Sequence, residues 1–158
     1  MTQFLRNKSW WIYLPIAAVP LLLFGVPLLG GRVLYWGTAA LQFVPWREFA
    51  YVQLEQGVLP LWNPLNGMGA PLIANYQTAF FYPPTWLTIF GHWLAGAPGI
   101  AWVYTLLVAL HLVWAGAGMA ALLRSLGAQP FGQAIGGLAF GMGGYLVARA
   151  SFFTMVWV

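Results

Sequence analysis

The sequence predicts an all-α, polytopic membrane protein with three transmembrane helices, or four if the stretch 80–94 also crosses. A long outer loop bearing a surface helix separates the first span from the next. Three observations carry this. Of the 158 residues 61% are hydrophobic and 5% are charged, whereas a soluble domain carries about 25% charged residues. Several apolar runs approach the roughly 20 residues that a membrane helix needs. The ten Trp and seven Tyr suit the water–lipid interface, where amphipathic rings collect.

The first span is read at 10–30, behind the basic pair Arg6 and Lys8. Basic residues ahead of a first span favour a cytoplasmic N-terminus. Its prolines, Pro15, Pro20 and Pro27, should bend the helix, which a bundle tolerates. The run is longer than a signal-peptide core and no A-x-A site closes it.

Residues 31–98 form the outer loop with interfacial helices. Pro45 suits the opening of a helix that Gly57 would stop. On it Trp46, Phe49 and Ala50 share one face, and Glu48 and Glu55 another, as in a helix lying on the membrane surface. The stretch 80–94 is short and broken by Pro83–Pro84, so it reads as interfacial or re-entrant. Spans two and three fall at 99–123 and 131–148. Positive-inside counting does not decide between three and four spans. Residues 149–158 end within an apolar segment, so the chain reads as the N-terminal portion of a longer membrane protein.

The net charge of +4 comes from six basic and two acidic side chains. The basic residues form no cluster able to track a phosphate backbone, so no nucleic-acid partner is expected. The chain has no Cys, which removes disulfides and thiolate metal sites. His92 and His111 stand in apolar surroundings. Two histidines fall short of a zinc site, and hydrogen bonding between helices explains them as well. No metal or cofactor is expected. The glycines at 132, 136, 137 and 141 match GxxxG, the spacing that lets membrane helices approach closely.

Candidate site residues follow from scarcity. Glu48 and Glu55 are the only carboxylate side chains. Seven apart on a helix, they could serve one site in acid–base work, or simply mark a solvated face. Arg32 and Arg47 lie in the outer loop, and a guanidinium fork suits a lipid phosphate, though Arg also snorkels. The loop 57–84, GVLPLWNPLNGMGAPLIANYQTAFFYPP, is irregular chain that cannot lie in hydrocarbon. Its amides Asn63, Asn75 and Gln77, beside Trp62 and Tyr82, suit a sugar or polar head group.

The elements PLWNP at 60–64, the G-x-PL-x-AN-x-Q pattern at 69–77, FYPP at 81–84 and IGGLAFGMGGYLVA at 135–148 resemble the YfhO-type bacterial membrane proteins, relatives of the GT-C glycosyltransferases. The resemblance implies a multi-pass protein of the bacterial inner membrane, several times longer than this chain. It also implies transfer of sugar from a polyprenyl-phosphate donor at the outer face. Glu48 would then be the catalytic candidate, and Arg32, Arg47, Trp62, Asn63, Asn75, Gln77 and Tyr82 would bind substrate. The acidic residue that such enzymes carry soon after the first span is missing near Thr38, and the chain has no Asp. The alternative is a non-catalytic membrane subunit or scaffold that holds lipids, pigments or partner subunits.

Overall fold

The computed structural model describes residues 10–152 and is mostly helical. Three stretches are long and apolar enough to cross a membrane: Trp10–Leu29, Pro83–Ser125 and Pro130–Ala148. Arg6 and Lys8 lie outside the described residues, as do 153–158.

The first helix, α1 (Trp10–Leu29), stays continuous through its prolines. The device is a widened π turn at Leu21–Gly25, set between Pro20 and Pro27. Proline lacks the donor that an α turn needs, and a locally widened turn absorbs the mismatch.

The next helix, α2 (Val44–Glu55), has Pro45 in its first turn and is preceded by a second π turn at Ala39–Phe43. Gly57, at φ +73°, ends it. The Gly57 and Val58 amides donate back to the Leu54 and Gln53 carbonyls, at 2.9 Å each. This left-handed closure favours a residue without Cβ. The expected surface helix is corrected in one respect. Val44, Trp46, Arg47, Ala50 and Tyr51 are all buried, so α2 is wedged into the protein. Its weakly amphipathic sequence hid a buried face that includes an arginine.

The run Thr88–Ser125 is helical throughout except at Ala95 and Gly96, where φ is −153° and +60°. We label it α3 (88–94) and α4 (97–125). A straight helix of 43 residues would be roughly 65 Å long, about twice the hydrocarbon thickness. The break resolves this by turning the chain back on itself. Gly91 and Gly99 meet backbone to backbone, and a Cβ on Gly99 would lie 1.9 Å from the Gly91 carbonyl oxygen. The segment 80–94 therefore enters through a tight turn at Pro83–Leu87 and a short helix packed beside the head of α4.

Gly127, at φ +82°, turns the chain into α5 (Pro130–Gly141), and α6 (Gly144–Ala148) follows after a break at Met142–Gly143. α5 lies along α4 through small residues. A Cβ on Gly137 would sit 2.7 Å from the Gly116 oxygen, and one on Gly141 would sit 2.8 Å from the Leu112 oxygen. Ile16 of α1 enters the same crossing. Gly132 meets nothing within 4 Å and a Cβ on Gly136 would meet only the Leu123 side chain, so the backbone-to-backbone contact falls to Gly137 and Gly141.

The main core gathers Phe24, Phe43, Val44, Tyr51, Ile100, Tyr104, Val108 and Leu112 from α1, the second π turn, α2 and α4. A smaller cluster of Trp46, Ala50 and Leu72 lies under the loop. The loop's strands β1 (Trp62–Asn63) and β2 (Ala70–Pro71) pair antiparallel. Outer helix surfaces are apolar, with Trp114 82% and Leu94 87% exposed, as lipid contact requires.

Candidate functional site

The predicted site residues separate into four places. Arg47 occupies the first, and its contacts fold the loop onto the helices. It is 2% exposed. Its Nε donates to the Tyr104 hydroxyl at 2.9 Å. Its Nη2 donates to the Thr78 and Ala79 carbonyls and to the Thr85 hydroxyl, the last two at 2.9 Å. The guanidinium carbon lies 5.2 Å from the Phe80 ring centre. Nη1 is buried with no hydrogen-bond partner among the described residues. α2, α4 and the 78–85 chain are thus tied through one side chain. Tyr51 adds a second tie through Thr88 and the Thr85 carbonyl.

The loop amides occupy the second place. Asn63 is buried, and its Oδ1 accepts from the Leu65 amide at 2.9 Å. The Asn75 Oδ1 accepts from the Gln77 amide at 3.0 Å and caps the turn Tyr76–Thr78. These are the local turns that asparagine favours. Gln77 is half-buried. Trp62 packs over Gly69 so closely that a Cβ there would be 2.5 Å from the indole nitrogen. Tyr82 reaches α4, where its hydroxyl is 2.7 Å from the His111 Nε2. The His111 Nδ1 lies 2.6 Å from the Leu107 carbonyl and so carries the hydrogen. Nε2 therefore accepts from Tyr82, and the pair pins the end of the loop to the span.

Glu48 stands in the third place. Its Oε2 is 3.0 Å from the His92 Nδ1, and the Glu55 Oε1 is 3.3 Å from the His92 Nε2. Trp93 donates its indole N–H to Glu55 at 3.0 Å. Tyr51, one turn from each glutamate, faces the imidazole at 5.5 Å between ring centres. The i, i+7 carboxylates thus converge on one ring. The side chain of His92 is 9% exposed, against 35% for Glu48 and 48% for Glu55. The carboxylates sit on opposite ring nitrogens, so the three groups cannot close around one ion. Among the described residues no group of three or more His, Cys, Asp or Glu could hold a metal. The role of His92 escaped sequence reasoning because its distance from Glu48, 44 residues, carries no periodic signal. The spacing of the two glutamates was the available clue.

Arg32 stands alone in the fourth place. It is exposed and lines an apolar cavity of about 470 Å³ between α1, α4 and the residues at and after the end of α6. The structure therefore does not bring Arg32 and Arg47 to a shared anion. Thr38, where an acidic residue was expected, precedes the π turn at Ala39–Phe43 and makes no capping hydrogen bond.

Comparison of the chain with protein families, curated proteins and solved structures finds no match.

Proposed function

We propose that this chain is a multi-pass membrane protein of the YfhO/GT-C type that transfers sugar from a polyprenyl-phosphate donor at the outer face of a bacterial inner membrane. The observation that carries this reading is the carboxylate–imidazole–carboxylate cluster of Glu48, His92 and Glu55 beside an ordered polar loop. One oxygen of Glu48 is held by His92. The other lies near Gly96, where a Cβ would be in ordinary contact with it at 3.6 Å, and the side chain is 35% exposed. A carboxylate held through one oxygen on a partly exposed side chain suits a general base that takes a proton from an acceptor hydroxyl. The N-terminus is cytoplasmic in this reading, and α1, α4 and the α5–α6 stretch are the three spans. The loop and the cluster then share the outer end. Trp62, Gln77 and Tyr82 line the approach of the sugar. Arg47, Asn63 and Asn75 shape the loop from within.

Turnover of the full-length protein with polyprenyl-phosphate sugars tests it. Glu48→Gln should lower kcat by about 10²-fold or more, as loss of a general base does. Undiminished turnover in that variant sinks the assignment.

A second reading, a non-catalytic subunit or scaffold, is favoured by one observation. The guanidinium of Arg47 and the side-chain oxygens of Asn63 and Asn75 are engaged inside the protein. Stoichiometric co-purification with other membrane subunits, without transferase activity in the complex, would favour it.

A further inference from the structure

We propose that the cavity beside Arg32 is a binding site for a lipid whose phosphate head group carries net negative charge, with the aliphatic chain inside and the head group on the guanidinium. This does not rest on the sugar-transfer reading.

The walls come from Phe24 and Pro27 of α1, from Leu34, and from Val147 just before the end of α6. The volume, about 470 Å³, falls within the roughly 300–1,000 Å³ of small-ligand sites. The hydroxyl of Thr105 also lines it, but that oxygen already accepts from the Leu34 amide and donates to the Ala101 carbonyl, at 2.9 Å each. That hydroxyl is therefore satisfied, which leaves Ser151 as the one other hydroxyl residue among the lining residues, and water requires two or more polar partners to settle. In a bilayer the available apolar filler is an aliphatic chain.

The open edge has the opposite character. Arg32 and Trp36 are both exposed lining residues, Trp36 at 81%. Both carboxylate side chains of the sequence are at His92, so no carboxylate side chain is left to pair with Arg32, and its guanidinium is free to meet an anionic group. A guanidinium offers paired donors that match a phosphate. A second cation, Arg149, stands between the lining residues Ala148 and Ala150. Its guanidinium lies over the rings of Tyr145 and Phe152, at 5.8 and 5.5 Å. The level also fits, because the indole of Trp102 donates to the Leu28 carbonyl at the end of α1, at 3.3 Å. Tryptophans of this kind mark the head-group layer. Apolar depth below a cation at that layer is the shape of a lipid with an anionic head. An anionic bilayer phospholipid and a prenyl phosphate share this chemistry.

The test is native mass spectrometry of the full chain, stripped of lipid in detergent. The probes are phosphatidylglycerol, phosphatidylcholine, farnesyl phosphate and inorganic phosphate. One-to-one retention of phosphatidylglycerol or farnesyl phosphate over phosphatidylcholine supports the site, and whichever is retained more strongly identifies the source. Arg32→Gln, a surface change, should cut that preference roughly fivefold, the effect expected of one interfacial cation. Arg32→Lys should keep part of it. Val147→Trp should fill the cavity and abolish retention of every lipid. Equal retention of the zwitterionic lipid, capture of inorganic phosphate alone, or unchanged selectivity in Arg32→Gln would each overturn the proposal.

Discussion

At the scale of single residues, the buried arginine decides most. A charge without a carboxylate partner persists only where fixed dipoles replace water around it. Tyr104, Thr85 and the carbonyls of 78 and 79 supply those dipoles for Arg47. Arg47→Lys keeps the charge but loses the fork, so some of these acceptors lose their donor. It should cost about 2 kcal/mol, the range for hydrogen bonds to a charged group. Reversible unfolding in mixed micelles would measure this, and limited proteolysis should cut 57–84 faster. Ala79 offers the opposite case. It holds φ +45°, a left-handed conformation costing a side-chain-bearing residue about 1–2 kcal/mol. Ala79→Gly should therefore raise stability by up to about 1 kcal/mol, after the entropy cost of glycine. Neither effect could be foreseen from the sequence. Arg47 looked like a surface cation there, because its partners lie 31 to 57 residues away.

At the scale of elements, close contact between helices depends on particular small residues. Gly137→Leu should break the crossing of α4 and α5, because its Cβ would already press on the Gly116 oxygen and on Ile16. The loss should exceed about 2 kcal/mol, as overpacking at backbone contacts does. Gly132→Leu, facing open space, should stay within about 0.5 kcal/mol of the parent. Equal losses in the two variants would show that the crossing lies elsewhere. The corner between α3 and α4 has the same logic, since a side chain at Gly99 would collide with the Gly91 carbonyl. The GxxxG pattern was legible in the sequence. Which of its glycines meet backbone and which only a side chain was not, because both halves have the same spacing. The length and prolines of 80–94 indicated a stretch that stops short, and the reversal at Ala95–Gly96 gives that shortness its geometry.

At the scale of the whole molecule, the apolar stretches and the loop define two ends. The absence of cysteine makes single-cysteine labelling free of background. With three spans, Val58→Cys in the loop should react with a membrane-impermeant maleimide applied to intact cells. Leu126→Cys, in the turn between α4 and α5, should react only after permeabilisation. Labelling of both from one side would refute the three-span arrangement. Composition and the length of apolar runs determined by themselves that this chain is helical and suited to a membrane, because an apolar backbone segment in lipid must satisfy its own hydrogen bonds. Only the tertiary structure decided which polar side chains face inward. The same residue types serve a buried tether or a binding site, and the difference lies in partners distant along the chain. Arg47 thus became a tether, Glu48 and Glu55 met at His92, and Arg32 was left beside an apolar cavity with no carboxylate side chain to pair with it.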